Sequence, residues 1–401
     1  MGKQRLGVGL VGAGFLADTR ARCWRAATTV DAHIEAVCTR TAESGGAWAS
    51  RWGVERSFTE LDELLALDEV SVVDLCVPNR LHRPMAERAA AAGKHVICTK
   101  PLTAYVGQDL GEEVSDAEVS GRDRATMYAV AVADAQAMID AAHANGVRLY
   151  YGENWVYAPS IRRAEGLLAA AGQPLLEMRG WEAHNGSHSP YSKLWRHTGG
   201  GALLRLGSHP VGAMLHLKRA EGVRTTGQPI RPVAVTAEVA DLTRVRGFDA
   251  ERSHVATGWV DVESWGQCIV RFEDGSQGIA HGSDVLLGGM ESQLHLLAPN
   301  THLKCRLSPH DLLSAYAPSE QVFGEEYLME KTSTRAGWNS ALPDEDWSSG
   351  QLGMIEAFAA AVVAGEEAAA NGELGLDVTR VLYGAYRSAA EGRRIELEQP
   401  A

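Results

Sequence analysis

The first 150 residues alternate short apolar runs with breaker-free stretches of helical length. Arg5 to Val11, Ile34 to Cys38, Val70 to Val77 and His95 to Cys98 have the length and near-continuous apolar character of strands buried on both faces. Phe15 to Ala27, Ala42 to Trp52 and Pro84 to Ala92 lie between them as helices. Such alternation predicts a parallel sheet with helices on its faces. Thr103 to Ala125 loses the pattern and gains charge; it is expected to be a solvated surface excursion, with a lid or subunit contact as the alternative. Helical sequence resumes from Thr126 to Ala144, stops at Asn145-Gly146, and is followed by a strand at Val147 to Gly152.

Beyond residue 153 the periodicity shortens to two. Val233 to Val239, Gln267 to Phe272, Gly278 to His281 and Gln293 to Leu297 read as antiparallel strands, with Asp274-Gly275 suited to a tight hairpin whose central residues need positive φ. Helices at Gln351 to Ala364 and Asp377 to Glu391 close the chain, with Gly365 and Gly392 as caps. The expected fold is an α/β Rossmann domain with a doubly wound parallel sheet over 1–152, then an α+β domain over 153–401 with a large, mostly antiparallel open sheet. The last helices are expected to pack back on the first domain.

Composition narrows the class. Of 401 residues, 45% are hydrophobic and 22% charged, which suits well-cored domains, and the formal net charge of −13 argues against nucleic acid as a partner. No apolar stretch approaches the roughly 20 residues that span a bilayer, and Met1 to Leu6 do not begin a signal peptide, so no membrane partner and a cytoplasmic location are expected. The six cysteines are scattered, without a Cys-x-x-Cys pair, and read as reduced, buried thiols.

Gly12-Ala13-Gly14-Phe15-Leu16-Ala17 fits G-x-G-x-x-G/A between a strand and a helix, the arrangement that brings backbone and helix N-terminus against a pyrophosphate. The acidic residue that usually grips the ribose hydroxyls is missing; Cys38 is followed by Thr39 and Arg40. Arg40 can pair with a 2′-phosphate, favouring NADP over NAD, or stack on adenine, which suits either. Gly12, Gly14, Phe15, Leu16, Thr39, Arg40, Pro78, Asn79, His82, Thr99 and Lys100 are assigned to the cofactor.

Lys100, in Cys98-Thr99-Lys100-Pro101, ends a strand at the carboxyl edge of the sheet, where ligands of such folds bind. A partly desolvated ammonium there can hold a substrate hydroxyl. The run from Gly199 to Pro210 adds Arg205 and His209, spaced to share a helix face, with His209 a candidate general base. His184, His188 and Trp195 are candidates for sugar binding by hydrogen bonds and stacking; a metal at Glu182, His184 and His188 is the less favoured reading because the segment reads as a loop, and no metal is assigned.

On these motifs, and on Tyr386-Arg387-Ser388-Ala389-Ala390-Glu391-Gly392-Arg393 near the end, the chain resembles the Gfo/Idh/MocA family of NAD(P)-dependent sugar oxidoreductases over nearly its whole length. The resemblance implies substrate between the two domains, Lys100 and His209 as the catalytic pair, and Glu153, Asn154 and Tyr157 looking onto nicotinamide and substrate, with interdomain packing as their plainer reading. It also implies a homo-oligomer, dimer or tetramer, through the C-terminal sheet. Two substitutions depart from the family pattern: Thr99 stands for a glutamate and Arg205 for an aspartate, and the excursion at 103–125 lengthens a junction that is typically brief. Arg205 cannot orient His209 as an aspartate would, and its charge would draw an anionic group. The implied activity is hydride transfer at a hydroxyl carbon of a sugar, polyol or related cyclic compound, possibly a sugar acid, with a glycoside-cleaving enzyme that oxidises transiently, or a non-catalytic NAD(P)-binding sensor, as alternatives.

Overall fold

Six parallel strands form the first sheet: β1 (Arg5–Val11), β2 (Asp31–Cys38), β3 (Arg56–Phe58), β4 (Val72–Leu75), β5 (His95–Thr99) and β6 (Leu149–Gly152), in the order β3-β2-β1-β4-β5-β6. The computed structural model describes residues 3–111, 113–187, 189–308, 313–332, 334–341 and 344–398. Every position of β4 and β6 is buried, as is all of β1 beyond Arg5, which is why these strands read as unbroken apolar runs. The order reverses between β1 and β4, so the carboxyl ends of those strands flank a crevice. Strand β3 and the short helix Leu61–Leu65 escape the sequence pattern because neither is long enough to show a period.

A buried ion pair ties the first helix, Phe15–Ala26, to the sheet and to the C-terminal helices. Arg20 Nε lies 3.7 Å from Asp74 Oδ1, Trp24 Nε1 donates to Asp74 Oδ2 at 3.0 Å, and Arg20 Nη1 donates to Gln351 Oε1 at 2.9 Å. Gln351 opens the helix Gln351–Ala364, which packs on Phe15–Ala26. Ala370 O also accepts from Tyr151 N at the end of β6, so the last helices lie against the first sheet.

The excursion at 103–125 is a solvated segment only in part: its first residues are buried, whereas most of the described residues from 107 to 118 are exposed. Leu102 to Val106 are buried, Trp195 Nε1 donates to Tyr105 O at 3.1 Å, and a short helix, Asp116–Ser120, is started by a Ser115/Glu118 capping box. Arg196 pairs with Asp116 at 2.6 Å. Aromatic and aliphatic residues among the charges bind this segment across to the second half of the chain.

The second sheet contains β7 (Glu177–Ala183), β8 (Pro232–Ala240), β9 (Trp265–Phe272), β10 (Gln277–Ser283), β11 (Glu291–Ala298), β12 (Thr301–Arg306) and β15 (Ile395–Glu396), in the order β12-β11-β7-β10-β9-β8-β15. All its pairs are antiparallel except β7–β10. A separate hairpin joins β13 (Ser314–Ala317) to β14 (Gly337–Ser340). Residues from 181, expected in a loop, lie on β7; its inward positions include Gly180 and Glu182 in place of large apolar side chains, which hides the strand. The hairpin at Asp274-Gly275 also differs from expectation. Only Gly275 has positive φ, +89°, and Phe272 N donates to Ser276 O at 3.0 Å, so the loop has three residues and ends in a left-handed glycine. The helices Ser208–Thr226 and Gly372–Glu391 cover one face of this sheet.

Candidate active site

The glycine turn follows β1 directly. Gly12 has φ +116°, and a Cβ there would lie 2.3 Å from Cys76 O, so both conformation and space demand glycine. Gly14 has open space where its Cβ would be and caps the helix Phe15–Ala26 without a side-chain hydrogen bond. The first amides therefore remain available to an anion, and Ala17 is buried under the close helix–sheet contact. This cradle fits a dinucleotide pyrophosphate. Phe15 is 64% exposed at its rim, with Leu16 half-buried beside it. Beyond β2, Thr39 is buried and donates to Thr41 O, whereas Arg40 is exposed with no ion pair among the described residues. Pro78 is exposed, and Asn79 donates to Thr198 O at 2.7 Å, bringing the turn after β4 to the glycine run of the second half. His82 does not face a cofactor. It is fully buried, and its ring nitrogens bond to Val77 O, Pro101 O and Leu102 O within 3.2 Å, so it braces the ends of two strands.

Lys100 follows β5, beside a buried Thr99, and its Nζ donates to the carbonyl of Arg205. Arg205 and His209 do not share one helix: Arg205 ends Ala202–Arg205, His209 is the second residue of Ser208–Thr226, and Leu206-Gly207 break between them. The Arg205 guanidinium is paired with the buried Asp284 and lies over Trp259, 5.3 Å from its centroid, so its charge is already countered. The carboxylate that orients His209 comes from elsewhere. Glu153 Oε1 is 2.7 Å from His209 Nδ1 and also accepts from Trp155 N at 3.2 Å. Gly212 makes this possible, since a Cβ there would lie 2.7 Å from Glu153 Cγ. Trp155 stacks on the imidazole, centroids 5.8 Å apart, and Glu182 Oε1 faces Nε2 at 3.8 Å.

Burial governs the charge states. It pushes the Glu153 carboxyl up to about 8, against the pull of Lys100. Burial, then the Lys100 ammonium, brings His209 down to about 3, with Glu182 opposing. Lys100 is itself lowered by burial, with Glu182 and Glu153 opposing, and burial raises Glu182. A half-buried lysine, a histidine held neutral and two carboxyl groups are thus brought together, an arrangement suited to moving a proton on and off a hydroxyl.

Other expected substrate residues face elsewhere. Asn154 Nδ2 donates to Ser349 O at 2.7 Å, and Tyr157 Oη accepts from Ala370 N at 2.9 Å while packing on Phe358; both serve the contact with the C-terminal helices. Trp195 is buried against Tyr105, Tyr386 and Arg124 and stacks on no ligand surface. His184 is buried, its Nδ1 accepting from Gly186 N and lying 3.7 Å from Asp284 Oδ1. His188 lies outside the described residues. Among the described residues no group of three His, Cys, Asp or Glu could hold a metal ion, and no helix is long and apolar enough to cross a membrane. Sequence reasoning missed Trp155 and Asp284, and weighed Glu182 only as a metal ligand.

A family model described as an oxidoreductase family with an NAD-binding Rossmann fold matches residues 6–120. The levoglucosan dehydrogenase of Pseudarthrobacter phenanthrenivorans is 28% identical over 292 residues, 69% of this chain and 66% of that protein. An NADP(+)-dependent scyllo-inositol 2-dehydrogenase of Bacillus subtilis is 33% identical over 96 residues, 24% of this chain and 29% of that protein. The chain thus spans just under two thirds of the first relative and far less of the second. The crystal structure of GenD2 from gentamicin A biosynthesis in complex with NAD is similar with a TM-score of 0.78 and 26% identity, covering 99% of this chain and 97% of that one.

Proposed function

The chain belongs to the Gfo/Idh/MocA oxidoreductase family, and from that premise we propose that it moves a hydride between NAD or NADP and a hydroxyl-bearing carbon of a sugar, polyol or related cyclic compound. The observation that carries the reading is the convergence of Lys100, Glu153 and His209 beside the crevice of a nicotinamide-type Rossmann sheet. The cofactor, when bound, supplies the hydride acceptor or donor. Gly12, Gly14 and the amides of the first helix turn hold its pyrophosphate. Lys100 donates to the substrate oxygen and steadies the charge that grows there as the hydroxyl proton leaves. His209 takes that proton at Nε2 when Glu153 accepts a hydrogen bond from Nδ1–H, because this tautomer turns the ring's lone pair outward. The orienting carboxylate that Arg205 cannot supply is therefore available from Glu153, which supports catalysis over a sensor role. A screen of sugars, inositols, sugar acids and glycosides with both cofactors tests the reading by absorbance of reduced nicotinamide, with released aglycone followed in parallel. Aglycone release without net reduction would point to the glycoside-cleaving alternative, and tight cofactor binding with no turnover to the sensor.

The exposed Arg40 supports NADP as the better-held cofactor. Arg40→Asp should shift the ratio of Michaelis constants toward NAD by about tenfold, the value of one charge-assisted contact to phosphate. An unchanged ratio would mean that Arg40 only stacks on adenine.

We also place the subunit contact of a homo-oligomer on the uncovered face of the second sheet. Ile269 is 42% exposed there, among the ring contacts Trp181–His295, His295–His302 and Trp265–His281. Ile269→Glu should lower the particle mass measured by light scattering; a wild-type monomer, or a variant of unchanged mass, would rule out this face.

A further inference from the structure

The glycine run at 199–201 and Tyr386 stand out in the sequence, yet the proton relay uses neither. They meet at Glu263, which precedes β9 and is 7% exposed. Its Oε2 accepts from Gly201 N at 2.9 Å, and its Oε1 from Leu203 N at 2.9 Å and Tyr386 Oη at 2.8 Å. Its main-chain carbonyl accepts from Ala202 N at 3.0 Å, and Tyr386 Oη accepts from Leu204 N at 3.2 Å. The glycines make room for both partners: a Cβ on Gly200 would lie 2.2 Å from Tyr386 Oη, and one on Gly201 2.0 Å from Glu263 O. Each carboxyl oxygen faces an N–H, so the ionised form is the one that fits; burial raises its proton affinity, and the Tyr386 hydroxyl and the amides oppose that rise.

The four consecutive amides of 201 to 204 are thus taken up by two residues from distant parts of the chain. They open the single turn Ala202–Arg205, which is too short to hold itself together. Arg205 N donates back to Gly201 O at 2.9 Å, so the two ends of the turn are tied to one another. The turn's last carbonyl, Arg205 O, is the acceptor of Lys100 Nζ. Taking Lys100 as the group that donates to the substrate oxygen in the hydride transfer proposed above, we infer that Glu263 is a positioning residue for it: the carboxylate fixes the turn, and the turn fixes the ammonium.

Glu263→Gln keeps the size of the side chain but leaves a single oxygen for the amides of 201 and 203, so one of them loses its acceptor. It should lower kcat about tenfold, with the Michaelis constant for the cofactor within about twofold. Made in Lys100→Met, the same substitution should cost less than about twofold, since a residue that acts through the ammonium has nothing left to place. Acylation by acetic anhydride, read by mass spectrometry, follows the lysine without turnover. Labelling of Lys100 should rise several-fold in the variant, because an amine bonded to a carbonyl must first be freed, while Lys218, fully buried with Glu221 and Asp274, should stay as in the wild type. Tyr386→Phe keeps the ring, should move both readouts the same way, and replaces Glu263→Gln should that variant not fold. Losses that multiply in the double variant, labelling of Lys100 that does not change, or labelling of Lys100 and Lys218 that rises together overturns the inference and leaves hydride transfer standing. Faster labelling of Lys100 alone, in a protein that turns over no compound, keeps Glu263 as the anchor of Lys100 and refutes the hydride-transfer reading.

Discussion

Lys100→Met is expected to lower kcat by about a thousandfold while leaving cofactor affinity within about twofold, within the range spanned by groups that donate to a reacting oxygen. Methionine keeps much of the length of the stem, so what is lost is the ammonium that stands at the end of β5 and now donates to Arg205 O. The glycine turn lies on the other side of the crevice and does not depend on it. Fluorescence titration with reduced nicotinamide separates the two effects. The substitution has a second signature: the ammonium depresses His209, so its removal should raise the imidazole's proton affinity, measurable by NMR. A kcat within tenfold of the wild type would remove Lys100 from the reaction and leave it a prop for the Arg205 carbonyl.

How much of this site the sequence carries depends on whether a residue's task is local. Strands β1, β4 and β6 are legible because burial on both faces leaves an apolar run, and Lys100 is legible because the strand that presents it is. Strand β7 is not, since the same alternation that would mark it has Gly180 and Glu182 where the core side chains belong: Gly180 lets Pro210 and Met214 approach, and Glu182 belongs to the site. His82 shows the opposite error, a polar residue at a strand end whose position suggests a ligand contact but whose ring is spent on three carbonyls. Local spacing misled at Arg205 and His209 as well, because Gly207 interrupts the helix that would have put them on one face. The orienting partner of His209 lies 56 residues away, and tertiary packing, with Gly212 against Glu153 and Trp155 on the imidazole, brings them together. Nothing in the periodicity of either segment encodes that meeting.

Glu153→Gln is the sharper test, because it changes a pH profile as well as a rate. In the wild type the carboxyl sits near 8 and His209 near 3, so the pair loses one proton as pH rises through about 8. Below that point a protonated Glu153 donates to Nδ1, the ring proton is on Nε2, and the site is ready to give a proton. Above it the carboxylate accepts from Nδ1–H, and Nε2 is free to take one. Alcohol oxidation should therefore rise, and ketone reduction fall, through a limb near pH 8. The amide has no proton to lose there. In the glutamine variant both limbs should vanish, with kcat down about a hundredfold in either direction. Stability gives an independent reading. A carboxyl held above its unfolded value of about 4.3 makes the native state bind the extra proton, so the wild type loses stability as pH rises from about 4 to 8. Glutamine removes that slope, and thermal melts across the range should be correspondingly flatter. Limbs that persist in the variant would assign the titration to Lys100 or Glu182, and Glu153 would then be a buried contact without a hand in placing the proton.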